Sequence, residues 1–218
     1  LAFIVSVCFV LIFLTWLYKH QQNKHLVLEN ENRALNKNLS EMSEKFNSSR
    51  RGTIKEIIQS GEDGYVEFKS TMRWNLREAK IDKKMEEIIL KSISAFSNSK
   101  GCKLLIGVDD SGEILGIQDD CNTFKKPNKD YFELHLRNLV NNTFGKDFTT
   151  TNVSINFPIV DENEICEIYI KAGTKALYLE VVDKNGQRQK KFYVRSGNSS
   201  QDLAIDETAS YTKSRFDL

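Results

Sequence analysis

No CxxC or CxH pairing occurs among the four cysteines, Cys8, Cys102, Cys121 and Cys166. Scattered thiols without ligand spacing exclude a zinc module and a disulfide framework, and they fit a reducing compartment. The three histidines, His20, His25 and His135, have no partner spacing and supply no metal or catalytic motif. GxxxxGK[ST] is absent as well, so "GVDDSG" is not a phosphate-cradling loop. An excess of positive charge is also missing. Of the whole-chain totals of 31 basic and 30 acidic residues, seven Lys or Arg and four Asp or Glu fall up to Gly52, which leaves 24 against 26 beyond it, a net of −2. A domain that relies on bulk attraction to nucleic acid is strongly basic; this one has to gather its cations on one face.

Charge of either sign is lacking from residues 1–18, "LAFIVSVCFVLIFLTWLY", where only Ser6, Cys8 and Thr15 interrupt the apolar run. That matches the roughly 18 to 20 residues of a bilayer-spanning helix. A cleaved secretory signal has a shorter apolar stretch, about 7 to 15 residues, ending at a small-residue cleavage site. Trp16, Tyr18 and Lys19 read instead as an aromatic interfacial anchor and a cationic stop. The expectation is a transmembrane helix over 1–18, a single-pass membrane protein, and a globular domain that Lys19, His20 and Lys24 keep cytoplasmic.

Residues 19–52 read as a coiled-coil stalk and linker. Leu28, Leu35 and Met42 recur at seven-residue intervals as d positions, with Leu39 and Phe46 at a and Asn32 at the preceding a site. A buried Asn at one a position fixes register and favours a parallel two-stranded pairing, which makes a homodimer the expected partner state. A single amphipathic linker helix is the alternative. "NSSRRG" breaks the pattern before the folded domain.

Over 53–218 the pattern is α+β, a mixed β-sheet with packed helices. "TIKEIIQSG" is a helix capped by Thr53 and ended by Gly61. "YVEFKS" alternates as a strand. Ile81, Met85, Ile88, Ile89, Ile93 and Phe96 mark a helix ending by Gly101. "KLLIGVDD" is a buried strand and "SGEILGI" a turn and a second one. A helix spans 129–144 with Phe132, Leu136, Leu139 and Val140 inward. "NVSINFPIV" and "EICEIYIKA" flank the turn "DENE"; "ALYLEVVD" and "QKKFYVRS" flank an Asn185-Gly186 hairpin. Asp206 or Glu207 opens a terminal helix.

In this order, "GYVEFKS", "SAFSNSKGCKLLIGVDDSGEILGI" and "KFYVRSGNSS" resemble the Schlafen-type AlbA-like domain, over roughly Thr53 to Phe216. The family's glycine pair before the "LLIGVDD" strand is here Gly101-Cys102. The resemblance implies nucleic-acid binding, of RNA or DNA. Some Schlafens are endoribonucleases that act through two glutamates and an aspartate, and by motif position these map onto Glu62, Glu67 and one of Asp109 and Asp110, with Asp110 preferred. Carboxylate oxygens are what Mg²⁺ or Mn²⁺ prefers, so Glu62, Glu67, Asp109 and Asp110 are the implied metal ligands.

Lys69, Arg73, Arg77, Lys100, Lys103 and Arg195 are the cations available for phosphate, with Trp74 and Tyr193 for base stacking. Against this stands a non-enzymatic signalling or scaffold protein whose domain binds a protein partner, a reading that the near-neutral charge favours.

Overall fold

A computed structural model describes residues 53–216 together with Trp16, 19–22, Lys24, Glu31, Arg33 and Lys37. The chain divides into two units, Leu1–Arg51 and Gly52–Leu218. In the first, the described residues are helical, and the Trp16 ring stacks on His20 one turn later with centroids 5.5 Å apart. The single-pass membrane localisation expected from residues 1–18 is overturned: among the described residues no helix is long and apolar enough to cross a membrane. Of that stretch only Trp16 is described, and the heptad positions Leu28, Asn32, Leu35, Leu39, Met42 and Phe46 all lie outside the described residues.

The second unit opens with α1 (Ile54–Ser60), whose Thr53 and Glu56 form a reciprocal capping box and whose Gly61 ends it at positive φ. These satisfy the orphan amides of the first turn and stop the helix. β1 (Val66–Lys69) follows, then a two-residue hairpin of β2 (Trp74–Asn75) and β3 (Lys80–Ile81). α2 (Lys83–Asn98) starts at its Asp82 N-cap, later than apolar spacing suggests. The turn between β2 and β3 holds Ala79 at positive φ, and Ile81 and Ile88 face solvent rather than the core.

β4 (Cys102–Ile106) is wholly buried. The strand expected in "SGEILGI" is only an isolated bridge between Val108 and Ile114, because Gly107, Gly112 and Gly116, all at positive φ, curl the segment back on itself. The short α3 (Gln118–Cys121) leads to α4 (Lys129–Phe144), which coincides with its predicted span, and to α5 (Lys146–Asn152). β5 (Val153–Asn156), the mini-hairpin β6 (Ile159–Val160) and β7 (Asn163–Glu164), and β8 (Cys166–Ile170) come next. β9 (Leu179–Val182) and β10 (Arg188–Lys191) form the Asn-Gly hairpin. Phe192 then separates β10 from β11 (Tyr193–Ser196), which pairs with β12 (Ser199–Asp202) before α6 (Ile205–Phe216) closes the unit.

The central sheet is mixed, in the order β1-β4-β8-β5, with β1 parallel to β4 and the rest antiparallel. Alternation in β4 sends Leu104 and Ile106 to one face and Leu105 to the other. On the first face Ile89, Ile93 and Phe96 of α2 and Phe132, Leu136 and Val140 of α4 form the larger core. On the second, Ile57 and Ile58 of α1 pack on Val66, Phe68 and Leu105. α+β with helices on a mixed sheet is thus the fold.

Cys102 is buried in the larger core, so the residue that stands in for glycine points inward and leaves the turn to Gly101. A Cβ at Gly101, where φ is +75°, would lie 2.7 Å from both Ala172 N and Ile170 O. Gly101→Ala is expected to cost about 3 kcal/mol or more, whereas Gly186→Ala, with φ +81° and open space around it, costs only the left-handed strain of about 1 to 2 kcal/mol. Denaturant titration of the two variants separates these outcomes. Cys102, Cys121 and Cys166 are buried, and burial pushes all three thiols up, Cys121 to about 11. Peptide-resolved thiol labelling should therefore modify these three only after unfolding.

Candidate nucleic-acid interface

Strand alternation places Glu67 and Lys69 on the α2 side of the sheet, opposite Val66 and Phe68. Glu67 is 9 % exposed in its side chain and Arg195, from β11, only 3 %. Arg195 Nη1 pairs with Glu67 Oε2. Ser92 Oγ of α2 donates to Glu67 Oε1 at 3.1 Å, and Lys69 Nζ sits 2.7 Å from the same oxygen. Arg195 Nη2 donates to Asp63 O at 2.9 Å and its guanidinium lies 5.0 Å from the Phe96 ring centre. Four segments therefore meet on one buried ion pair.

The other acids have separate tasks. Glu62 Oε1 accepts the amide of Phe68 at 2.6 Å, which satisfies a backbone donor of β1 at the edge of the sheet. Asp63 Oδ1 accepts from Tyr65 N and Val66 N. Asp109 Oδ1 takes the amides of Ser111 and Glu113 and the Ser111 hydroxyl, and that hydroxyl, more than the amides, holds its carboxyl below the usual range. Asp110 is exposed in the same turn. Among the described residues no three His, Cys, Asp or Glu side chains gather so as to hold a metal ion. Glu62 and Asp109 each have one oxygen engaged by backbone amides and Glu67 is engaged by Arg195, Ser92 and Lys69, so as arranged these acids and the exposed Asp110 do not converge as the oxygen ligands of a shared Mg²⁺ or Mn²⁺.

The candidate cations fall into two groups. Lys69 is engaged by Glu67 and by Phe68 O. Arg73 Nε lies 3.2 Å from Glu86 Oε1, an ion-pair distance without hydrogen-bond alignment, and its guanidinium stacks 5.0 Å over Phe124. Lys103 is buried against Glu167 at 3.0 Å. Arg77 and Lys100 are exposed and make no ion pair among the described residues. Of the aromatics, Tyr193 is buried, with Lys91 Nζ 5.0 Å over its ring, and burial raises its hydroxyl's pKa. Trp74 is half-buried, its amide held by Asp120.

Sequence spacing gave no sign of three further arrangements. Asp120, fully buried, accepts the amides of Met72, Arg73 and Trp74; burial nevertheless keeps its carboxyl above the ordinary value. His135 Nε2 is 2.8 Å from Glu86 Oε1, a partner supplied from another helix and so invisible to local spacing. The third arrangement is a cavity of about 270 Å³ lined by Gly64, Tyr65, Ser99, Lys100, Arg195, Gly197, Tyr211 and Arg215. "GYVEFKS", "SNSKG" and "YVRSG" each contribute to its wall. Tyr211 and Arg215 come from α6.

A four-stranded mixed sheet flanked by helices, with a buried Glu-Arg pair beside a basic cavity, makes this an α+β domain. The family described as Schlafen, AlbA_2 matches residues 62–204, and the chain belongs to it. A crystal structure of the DIP2311 protein from Corynebacterium diphtheriae is similar at 16% identity and a TM-score of 0.48, over 74% of this chain and 31% of that one. The present chain thus spans about a third of that protein's length. No curated protein matches.

Breaking the buried pair from one side strands the other charge. Arg195→Met and Glu67→Gln are each expected to cost about 3 to 5 kcal/mol, and the double variant less than their sum; additivity in denaturant titrations would refute the coupling. Burial pushes Glu86 upward, but the His135 hydrogen bond, then the charges of His135, Arg73 and Lys83, outweigh it and lower the carboxyl below its ordinary 4.5. A depressed folded value means that its contribution is fully present above 4.5 and is lost as pH falls through the folded value. Glu86→Gln should flatten that acid limb of the stability profile, measured by denaturation across the range.

Proposed function

We propose that the domain at 53–218 binds nucleic acid and that its motif acids build the site rather than hold a catalytic metal. Family membership supports the first half. The observation that carries the reading is that three segments of a domain of net charge −2 bring Lys100, Arg195 and, from α6, Arg215 to one cavity. Phosphate contacts from Lys and Arg position such a protein on its target without reading sequence.

Binding of single-stranded RNA and DNA across a salt series tests this. Three phosphate contacts imply a slope of about −2 in log affinity against log salt for single strands, and Lys100→Ala should reduce it. With Mg²⁺ or Mn²⁺ present, wild type is expected to leave RNA intact; cleavage abolished by Glu67→Gln in a folded protein would restore the endoribonuclease reading. The near-neutral charge favours the scaffold alternative, in which binding to every oligonucleotide is absent at low salt. Pairing of two chains through residues 19–52 is a separate proposal from the heptads alone, tested by sedimentation of the Leu35→Asn, Leu39→Asn variant.

A further inference from the structure

We infer that the cavity between the β1 entry loop, the Ser99-Lys100 turn, the β11–β12 turn and α6 is a pocket for a terminal phosphate, that is, a phosphomonoester dianion. The inference rests on the nucleic-acid reading for the source of that phosphate and on geometry for the phosphate itself.

Three of the lining side chains are cations, Lys100, Arg195 and Arg215, and none is a carboxylate. Of these, only Arg195 has an acid partner, Glu67; neither Lys100 nor Arg215 makes an ion pair among the described residues. Counting Glu67, the pocket carries a net charge of about two positive units, which a phosphomonoester dianion balances and a backbone phosphodiester does not. Arg215 donates through Nη2 to Ser99 O at 2.9 Å and to Gly173 O at 3.3 Å, which orients the guanidinium while leaving its other donors free for an oxyanion fork. The Arg195 backbone amide donates to Ser99 Oγ at 2.8 Å, and Tyr211 OH donates to Asn98 O at 2.9 Å; both tie the walls to the end of α2. Arg195 Nε is buried and has no hydrogen-bond partner among the described residues.

The walls also suit a small anion rather than a strand running through. The volume, about 270 Å³, is just below the range of organic-ligand pockets. A Cβ on Gly64 would meet Gly197 O at 3.6 Å, and one on Gly197 would meet nothing within 4 Å, so at Gly197 the rim is bare backbone.

The test uses the full chain and four probes: one single-stranded oligonucleotide with a 5′-phosphate, with a 3′-phosphate and with hydroxyls at both ends, and inorganic phosphate as competitor. One phosphorylated form is expected to bind about tenfold or more tightly than the hydroxyl form, the scale of a charge-assisted hydrogen bond. Lys100→Ala and Arg215→Gln should remove that preference while circular dichroism stays that of wild type, and inorganic phosphate should compete. Equal affinity for all three oligonucleotides, unchanged in Lys100→Ala, would overturn the pocket and leave the nucleic-acid reading standing. If no oligonucleotide binds but inorganic phosphate still broadens its phosphorus resonance in a Lys100-dependent way, the pocket stands and the nucleic-acid reading falls. Should Arg215→Gln fail to fold, Lys100→Ala, altered at an exposed side chain, decides alone.

Discussion

The ion pair between Glu67 and Arg195 is the constraint on which this domain's arrangement turns. Two charges taken out of water are stable only with good geometry and further hydrogen bonds around them; in this pair only Arg195 Nε is left without a partner among the described residues. Here Ser92 and Lys69 complete the carboxylate, and Asp63 O and the Phe96 ring flank the guanidinium. Those partners come from α2, β1 and the loop before β1. Because Glu67 and Arg195 are 128 residues apart in sequence, meeting this requirement fixes where the late β11–β12 hairpin lies against the early sheet.

This explains why acids that look like a ligand set act as joinery. Glu62 and Asp63 precede an edge strand, whose outward amides would otherwise be open to pairing with another chain. Their carboxylates take those amides. Asp109 does the same for the turn that returns the chain after β4. Glu62, Asp63, Asp109 and Glu67 each have an oxygen engaged by backbone or by arginine, which is why the same residue types at the same spacing support a scaffold as readily as a metal site.

How much of this could be read from the sequence follows the range of the interactions involved. α1, α4 and the Asn-Gly hairpin were legible because a cap, an apolar period and a turn dipeptide are local signals. The start of α2 was not, since Ile81 continues the period while Asp82 supplies the cap. β12 was missed because "SSQD" has no apolar alternation; it is a strand only through pairing with β11. For the site, Glu67, Lys100 and Arg195 stood out in the sequence only as charged residues of the motifs; the Glu67–Arg195 pairing was not legible, and neither was the place of Arg215, on α6, in the same cavity. Glu86 and His135, 49 residues apart, meet only when two helices pack.

The division of the cations then separates structure from recognition without reference to bulk charge. Lys69, Arg73 and Lys103 each have a carboxylate within ion-pair distance, so moving one to a ligand would strand its acid in a poorly solvated place. Lys100 and Arg215 have no carboxylate partner among the described residues, and they line the same cavity as the arginine whose position is fixed by the buried pair. A neutral domain can therefore present a local positive field, because no carboxylate lines this cavity while Lys100, Arg215 and the Glu67-anchored Arg195 share its wall. Focusing by that geometry, rather than net charge, is what would give the surface its affinity for phosphate.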